Sequence, residues 1–202
     1  MGKRIAIALV LAVGTVFILM MYLPGLRPQS RPAVTVSGQA ALGGPFTLED
    51  TKGNPVTEAV LNGHYSLVYF GYTFCPDICP LALQNMTQAL QMAGPVADDV
   101  LPVFITIDPA RDTKEVIASY LEHFHPKMIG LTGTPEQIAA AESTYRVYAA
   151  KSPGSEGKPD YLMDHTGYIY LMDKQGRYVV HFPKDATALD ISNRMRRDLN
   201  PS

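Results

Sequence analysis

The only two cysteines in this 202-residue chain stand four positions apart, in Gly71-Tyr72-Thr73-Phe74-Cys75-Pro76-Asp77-Ile78-Cys79-Pro80. The apolar run Tyr65 to Phe70 leads into them, and a helical pattern leaves from Leu81. That order is a strand, a turn carrying two sulfurs, then a helix, and it places both sulfurs where α/β folds keep their chemistry. A four-residue spacing lets the two side chains point the same way if the turn is helix-like. Pro80 suits the first helical position, which makes Cys79 the expected N-cap. The positive end of the helix would then favour thiolate over thiol. From the motif alone three readings stay open: a soft metal chelate, a catalytic redox pair and a structural disulfide.

Length and charge narrow the setting. A chain of this size supports one domain with a proper core. The formal charge of −2 and the absence of a basic stripe argue against nucleic acid as a partner. Two cysteines are too few for a small disulfide scaffold. Ile5 to Leu23 is uncharged, follows Lys3 and Arg4, and as a helix would span about 28 Å, close to the hydrocarbon thickness of a bilayer. No small-x-small cleavage site follows it closely, so a transmembrane anchor is expected over residues 5–23 rather than a cleaved signal peptide. The charge bias across it is thin and favours residues 1–4 in the cytoplasm. With no room before the anchor for a mitochondrial presequence, the expected location is a bacterial inner membrane with the soluble domain on the periplasmic side. Residues 24–42, rich in Pro, Gly, Ser and Ala, read as a linker, and residues 43–202 as the domain.

Within the domain, Pro45 to Leu48 reads as a short strand and Tyr65 to Phe70 as a strand buried on both faces. Leu81 to Ala93 is helical and stops at Gly94-Pro95. Leu101 to Ile107 is a second buried strand. Asp112 with Glu115 three residues on gives a capping-box-like helix start. Met128 to Leu131 is a short strand, and Thr134-Pro135-Glu136-Gln137 is a strong helix start. Residues 149–160 are a polar excursion without pattern. Tyr168 to Met172 and Tyr178 to Phe182 read as a hairpin, followed by a last helix from about Ala186 to Leu199. A βαβ start with a hairpin before the final helix predicts an α/β, thioredoxin-like fold on a central mixed sheet. A doubly wound flavodoxin-like order is the alternative, and the terminal hairpin speaks against it.

A two-sulfur chelate needs a further ligand, and the chain has five histidines. His123 and His125 end a helix and read as solvated. His64 lies in a turn, and His181 reads as a packed or edge residue of the hairpin. His165 differs, because it follows the long excursion and precedes the hairpin, where a thioredoxin-like fold can bring it to the cysteine turn.

The run Tyr69 to Pro80 resembles the signature of the Sco/SenC family. Ile107-Asp108-Pro109-Ala110-Arg111-Asp112-Thr113 resembles that family's second segment, and Asp164-His165-Thr166 its third. The three occur in the family's order, over roughly Gly43 to Leu199. The resemblance implies a thioredoxin-like, membrane-anchored, copper-binding protein that assists assembly of the dicopper centre in subunit II of cytochrome c oxidase. It places the copper ligands on Cys75, Cys79 and His165, and the aspartate beside the histidine on Asp164. Phe74 stands where relatives often have His, which leaves that ligand set intact.

Softness agrees, since two thiolates suit Cu(I) and an imidazole supports either Cu(I) or Cu(II). Met163 reads as core packing, with a weak thioether ligand as the alternative. Asp164 is read equally as an orienter of His165 and as a turn cap. Asp77 caps the helix or adds negative charge near a cation. Asp108, Arg111 and Asp112 read first as an ion-paired loop and helix cap, and next as residues that support the site from behind its ligands. Two functions from different classes are compatible with these residues. One is a copper metallochaperone, not an enzyme, fed by an upstream periplasmic copper donor. The other is a thiol-disulfide oxidoreductase that cycles Cys75 and Cys79 to reduce the subunit II cysteines. A thioredoxin-like peroxidase ranks last, because no peroxidase-type motif surrounds Cys75.

Overall fold

The computed structural model describes residues 42–155 and 157–199. The expected anchor over 5–23 and nearly all of the linker lie outside the described residues. Among the described residues no helix is long and apolar enough to cross a membrane.

Seven strands form one mixed sheet. They are β1 (Thr47–Asp50), β2 (Pro55–Thr57), β3 (Tyr65–Gly71), β4 (Val100–Thr106), β5 (Ile129–Thr132), β8 (Ile169–Met172) and β9 (Tyr178–Phe182). Their spatial order is β2-β1-β5-β4-β3-β8-β9. β3, β4 and β5 run parallel, and the β8–β9 hairpin joins antiparallel to β3. The remaining strands, β6 (Ala149–Lys151) and β7 (Met163–His165), form a separate two-stranded ribbon. The helices are α1 (Ile78–Ala93), α2 (Lys114–Leu121), α3 (Pro135–Tyr145) and α4 (Ala188–Leu199). α1 packs on α4 and β3, α2 on β5, and α3 on β1. A parallel βαβ core closed by an antiparallel hairpin is the thioredoxin-like arrangement that the element order predicts.

The apolar run at 65–70 lacks alternation because β3 is central. From Ser66 to Gly71 every residue is buried, between β4 on one side and β8 on the other. The Thr134 start also forms as its sequence predicts. Thr134 Oγ1 accepts from the Gln137 N–H at 3.3 Å, and Gln137 Oε1 accepts from the Thr134 N–H at 2.8 Å, a complete capping box with Pro135 next to the cap.

Several boundaries differ from the sequence reading. α1 begins at Ile78, so Asp77 and not Cys79 occupies the N-cap position, and Pro80 falls in the first turn. Proline is tolerated throughout that turn, because the N–H it lacks would have no partner within the helix anyway. α2 is capped by Thr113, whose Oγ1 accepts from the Val116 N–H at 3.3 Å, and not by Asp112. The first strand lies two residues later than Pro45 to Leu48. The polar excursion is not all loop, since Ala149–Lys151 pairs with Met163–His165. A three-residue strand is too short to show alternation, and its partner lies across the intervening loop.

Candidate metal centre

β3 delivers the chain to the cysteine turn at the C-terminal end of this central strand, and α1 leaves from it. Cys79 is fully buried and Cys75 half-buried. Both thiols are free. The Cys79 N–H is one of the helix-start donors without a partner inside α1, and Cys75 Sγ accepts it at 3.4 Å. The two sulfurs are therefore unequal. The adjacent Cys79 thiol holds the Cys75 thiol well below its ordinary pKa, helped by backbone N–H donors of the helix start. Cys79 moves the other way, because the neighbouring Cys75 thiolate and burial both favour its protonated form. The pair carries one negative charge and one proton between them.

The β6–β7 ribbon brings His165 to this turn. Its Nε2 lies 3.5 Å from Cys79 Sγ. Its Nδ1 lies 3.2 Å from the Thr166 carbonyl, which can only accept, so in the neutral ring Nδ1 carries the proton and Nε2 presents a lone pair to the sulfur. Thiolate and imidazole bonds of about 2.3 and 2.0 Å, meeting at a tetrahedral angle, put their donor atoms about 3.5 Å apart. The separation fits one first-row metal ion between Cys79 and His165. The ring is held edge-on by Tyr69 and Tyr72, with centroids at 6.2 and 6.0 Å.

The other residues singled out in the sequence take less direct places. Asp164 does not orient His165. It is exposed, lines the same cleft as His165, and accepts from Ser152 Oγ at 2.8 Å across the ribbon. The Thr166 carbonyl has the orienting position instead. Asp77 is exposed and makes no capping bond with its side chain. Together with Cys75, Ile78, Met163, His165 and Lys184 it lines a cleft of about 380 Å³ over the turn. Met163 is partly buried and packs against the core, as expected. A larger hollow of about 590 Å³ lies elsewhere, beside Asp50, Leu121 and His125, and no cysteine lines it. There His125 Nδ1 accepts from the Lys127 N–H. His181 is an exposed edge residue whose ring lies tilted against Tyr168, with Nδ1 at 2.7 Å from Tyr178 Oη.

Two contacts that support the turn have no local signal in the sequence. Tyr72 Oη accepts from the Met163 N–H at 3.2 Å and ties the turn to β7. Asp112, fully buried, accepts from Thr73 Oγ1 at 2.6 Å, from the Thr73 N–H at 3.1 Å and from Thr106 Oγ1 at 2.6 Å. Burial raises its carboxyl pKa against the pull of those donors. Its expected role as a helix cap gives way to holding the segment just before Cys75. Asp112→Ala leaves three donors without an acceptor and is expected to destabilise the fold by about 3 kcal/mol, read from the urea unfolding midpoint. The spacing of the second segment signalled its charges, but nothing local connected Asp112 to Thr73.

A thioredoxin-like domain with two unequal thiols and an imidazole beside them carries the groups that bind a soft metal or exchange a disulfide. The SCO1/SenC family model matches residues 34–200, and the chain belongs to this family. A SCO2-like protein of Rickettsia felis is 40% identical, over 93% of this chain and 91% of its own. A structure of Bradyrhizobium japonicum ScoI with copper bound is 44% identical, covers 78% of this chain and 99% of its own, and superposes with a TM-score of 0.69. A crystal structure of yeast Sco1 with copper bound is 39% identical over 79% of this chain and 88% of its own, with a TM-score of 0.73.

Proposed function

We propose that this chain is a copper metallochaperone that holds one copper ion through Cys75, Cys79 and His165 and assists assembly of the dicopper centre in subunit II of cytochrome c oxidase. The observation that carries the reading is His165 Nε2 facing Cys79 Sγ at 3.5 Å. The copper-bound relatives at 39% and 44% identity support copper as the ion. Two thiolates and one imidazole satisfy Cu(I) with an open side, and the cleft over the turn leaves room for an incoming ligand from the acceptor. Delivery then proceeds by exchange of ligands. In this reading the chain is anchored in a bacterial inner membrane by residues 5–23, with its domain on the periplasmic side. A periplasmic donor supplies the copper.

The inequality of the two sulfurs favours a second reading, thiol-disulfide exchange with the subunit II cysteines. Cys75 is the half-exposed thiolate that attacks, and buried Cys79 is the thiol that resolves. Both readings use the same two sulfurs and are compatible in one protein.

A copper titration of the full chain against a competing chelator, repeated at several pH values, tests the first reading. The metal-free pair keeps one proton, on Cys79, and copper binding must displace it. Lower pH therefore opposes binding. Between about pH 7 and 8.5, above the ordinary imidazole range, the logarithm of apparent affinity should rise by about one per pH unit. A slope near two would mean that both thiols are protonated before binding. A flat profile would mean that both thiolates are already formed before binding or that the sulfurs are not ligands, and a Cys79→Ser variant separates the two.

A further inference from the structure

His165 is secured unequally from its two sides. On its C-terminal side β8 enters the main sheet at Ile169, paired with Tyr69. On its N-terminal side β7 pairs only with β6, outside the main sheet, and behind it runs the exposed excursion. Something other than sheet hydrogen bonding must hold that side against the cysteine turn.

Arg111 is placed to do so. Its guanidinium carbon lies 3.5 Å from the centroid of the Tyr161 ring and 4.7 Å from that of Phe74. Phe74 is the residue immediately before Cys75, and Tyr161 stands four before His165. Arg111 Nε donates to Asp108 Oδ2 at 2.5 Å, and Nη1 to the Pro159 carbonyl at 3.4 Å. Tyr161 Oη donates to the other oxygen of Asp108 at 2.6 Å. Tyr161 and Asp108 are both buried. Arg111 Nη2 is buried and has no hydrogen-bond partner among the described residues. Aromatic faces, as much as acceptors, thus fix this cation. Lys151 Nζ packs on the Tyr161 ring at 4.0 Å, which joins β6 to the same cluster.

We propose that Arg111 is a positioning residue: stacked between Phe74 and Tyr161, it latches the histidine-bearing segment to the cysteine turn and so sets the approach of His165 to Cys79. This deepens the proposed copper site and rests on that reading for its consequence, though not for its geometry. A planar guanidinium can stack on two rings while bonding a carboxylate, and a lysine ammonium cannot. Arg111→Lys keeps the charge and removes the latch. Tyr161→Leu removes it from the other side.

Both variants and their combination are tested in the full chain. In the metal-free protein, amide hydrogen exchange reads the latch directly. The amides to follow are Met163, which donates to Tyr72 Oη, and Thr166, which donates to the Tyr148 carbonyl. Each single variant should speed exchange at both by about tenfold, the loss expected for one desolvated cation–π contact. The double variant should add little, and β3 and α1 should keep their protection. Unchanged exchange at Met163 and Thr166, or loosening that spreads equally through β3 and β4, would overturn the proposal. With Cu(II) added, the nitrogen coupling of the imidazole in the electron paramagnetic resonance spectrum should weaken in the variants relative to the unaltered chain. If the unaltered chain shows no such coupling, the ligand reading fails, and hydrogen exchange alone still decides the latch.

Discussion

Replacing His165 with alanine lowers Cu(I) affinity by about 100-fold or more while leaving the Cys75–Cys79 pair able to form a disulfide. The size follows from what is lost. Removing residues that merely support a metal ligand costs about 10–100-fold, and His165 is proposed as a ligand itself. The two sulfurs stay in place because the helix start and the Asp112 bonds to Thr73 hold them independently of the ribbon. A competition titration against a Cu(I) chelator reads the affinity, and thiol titration after mild oxidation reads the disulfide. Full affinity in His165→Ala would take His165 out of the ligand set. Cys79→Ser should abolish tight binding, since a hydroxyl is a hard donor that stays protonated where the thiolate does not.

Gly71→Ala should displace the buried sulfur without touching either loop. A Cβ at this position would lie 2.7 Å from Tyr69 Cε1, 3.0 Å from Cys79 Sγ and 3.3 Å from Phe104 Cε2. Two of these neighbours are rings with no exposed surface, so they cannot swing aside. Overpacking of this kind costs about 1–3 kcal/mol, and the sulfur, as buried as the rings but part of a smaller side chain, has the fewest atoms to move with it. The expected outcome is a lowered thermal midpoint together with weakened copper binding, although no ligand has changed. Unaltered affinity in a destabilised variant would show that the rings yield and the sulfur does not.

Glycine at 71 was legible as a residue in the sequence, but its reason was not. The nearest clash is with Tyr69, two residues earlier on β3, and the other two are with side chains from α1 and β4, which no local pattern reports. Asp112 makes the same point differently. Its spacing from Glu115 fits a helix cap, yet the neighbouring Thr113 takes the cap and frees the carboxylate to turn inward to Thr73. Asp164 beside His165 suggested an orienting carboxylate. In a strand adjacent side chains point to opposite sides, so Asp164 faces Ser152 while His165 faces Cys79. The alternation rule could have excluded it had β7 been recognised as a strand.

What the sequence determined by itself was local or periodic. Unbroken apolar runs marked β3 and β4 as central, because a strand buried on both faces needs no polar positions. The Thr134 capping box marked the start of α3, since its partners are three residues apart. The two sulfurs at the start of α1 followed from strand, turn and helix in succession. Tertiary structure decided the rest: His165 brought to Cys79 by a ribbon too short to read, the unequal charge of the two sulfurs set first by their hydrogen bond to each other and then by the burial of Cys79, and Arg111 stacked between Phe74 and Tyr161. Those arrangements depend on which surfaces meet after the sheet forms, and side-chain burial and contact geometry exist only once they have met.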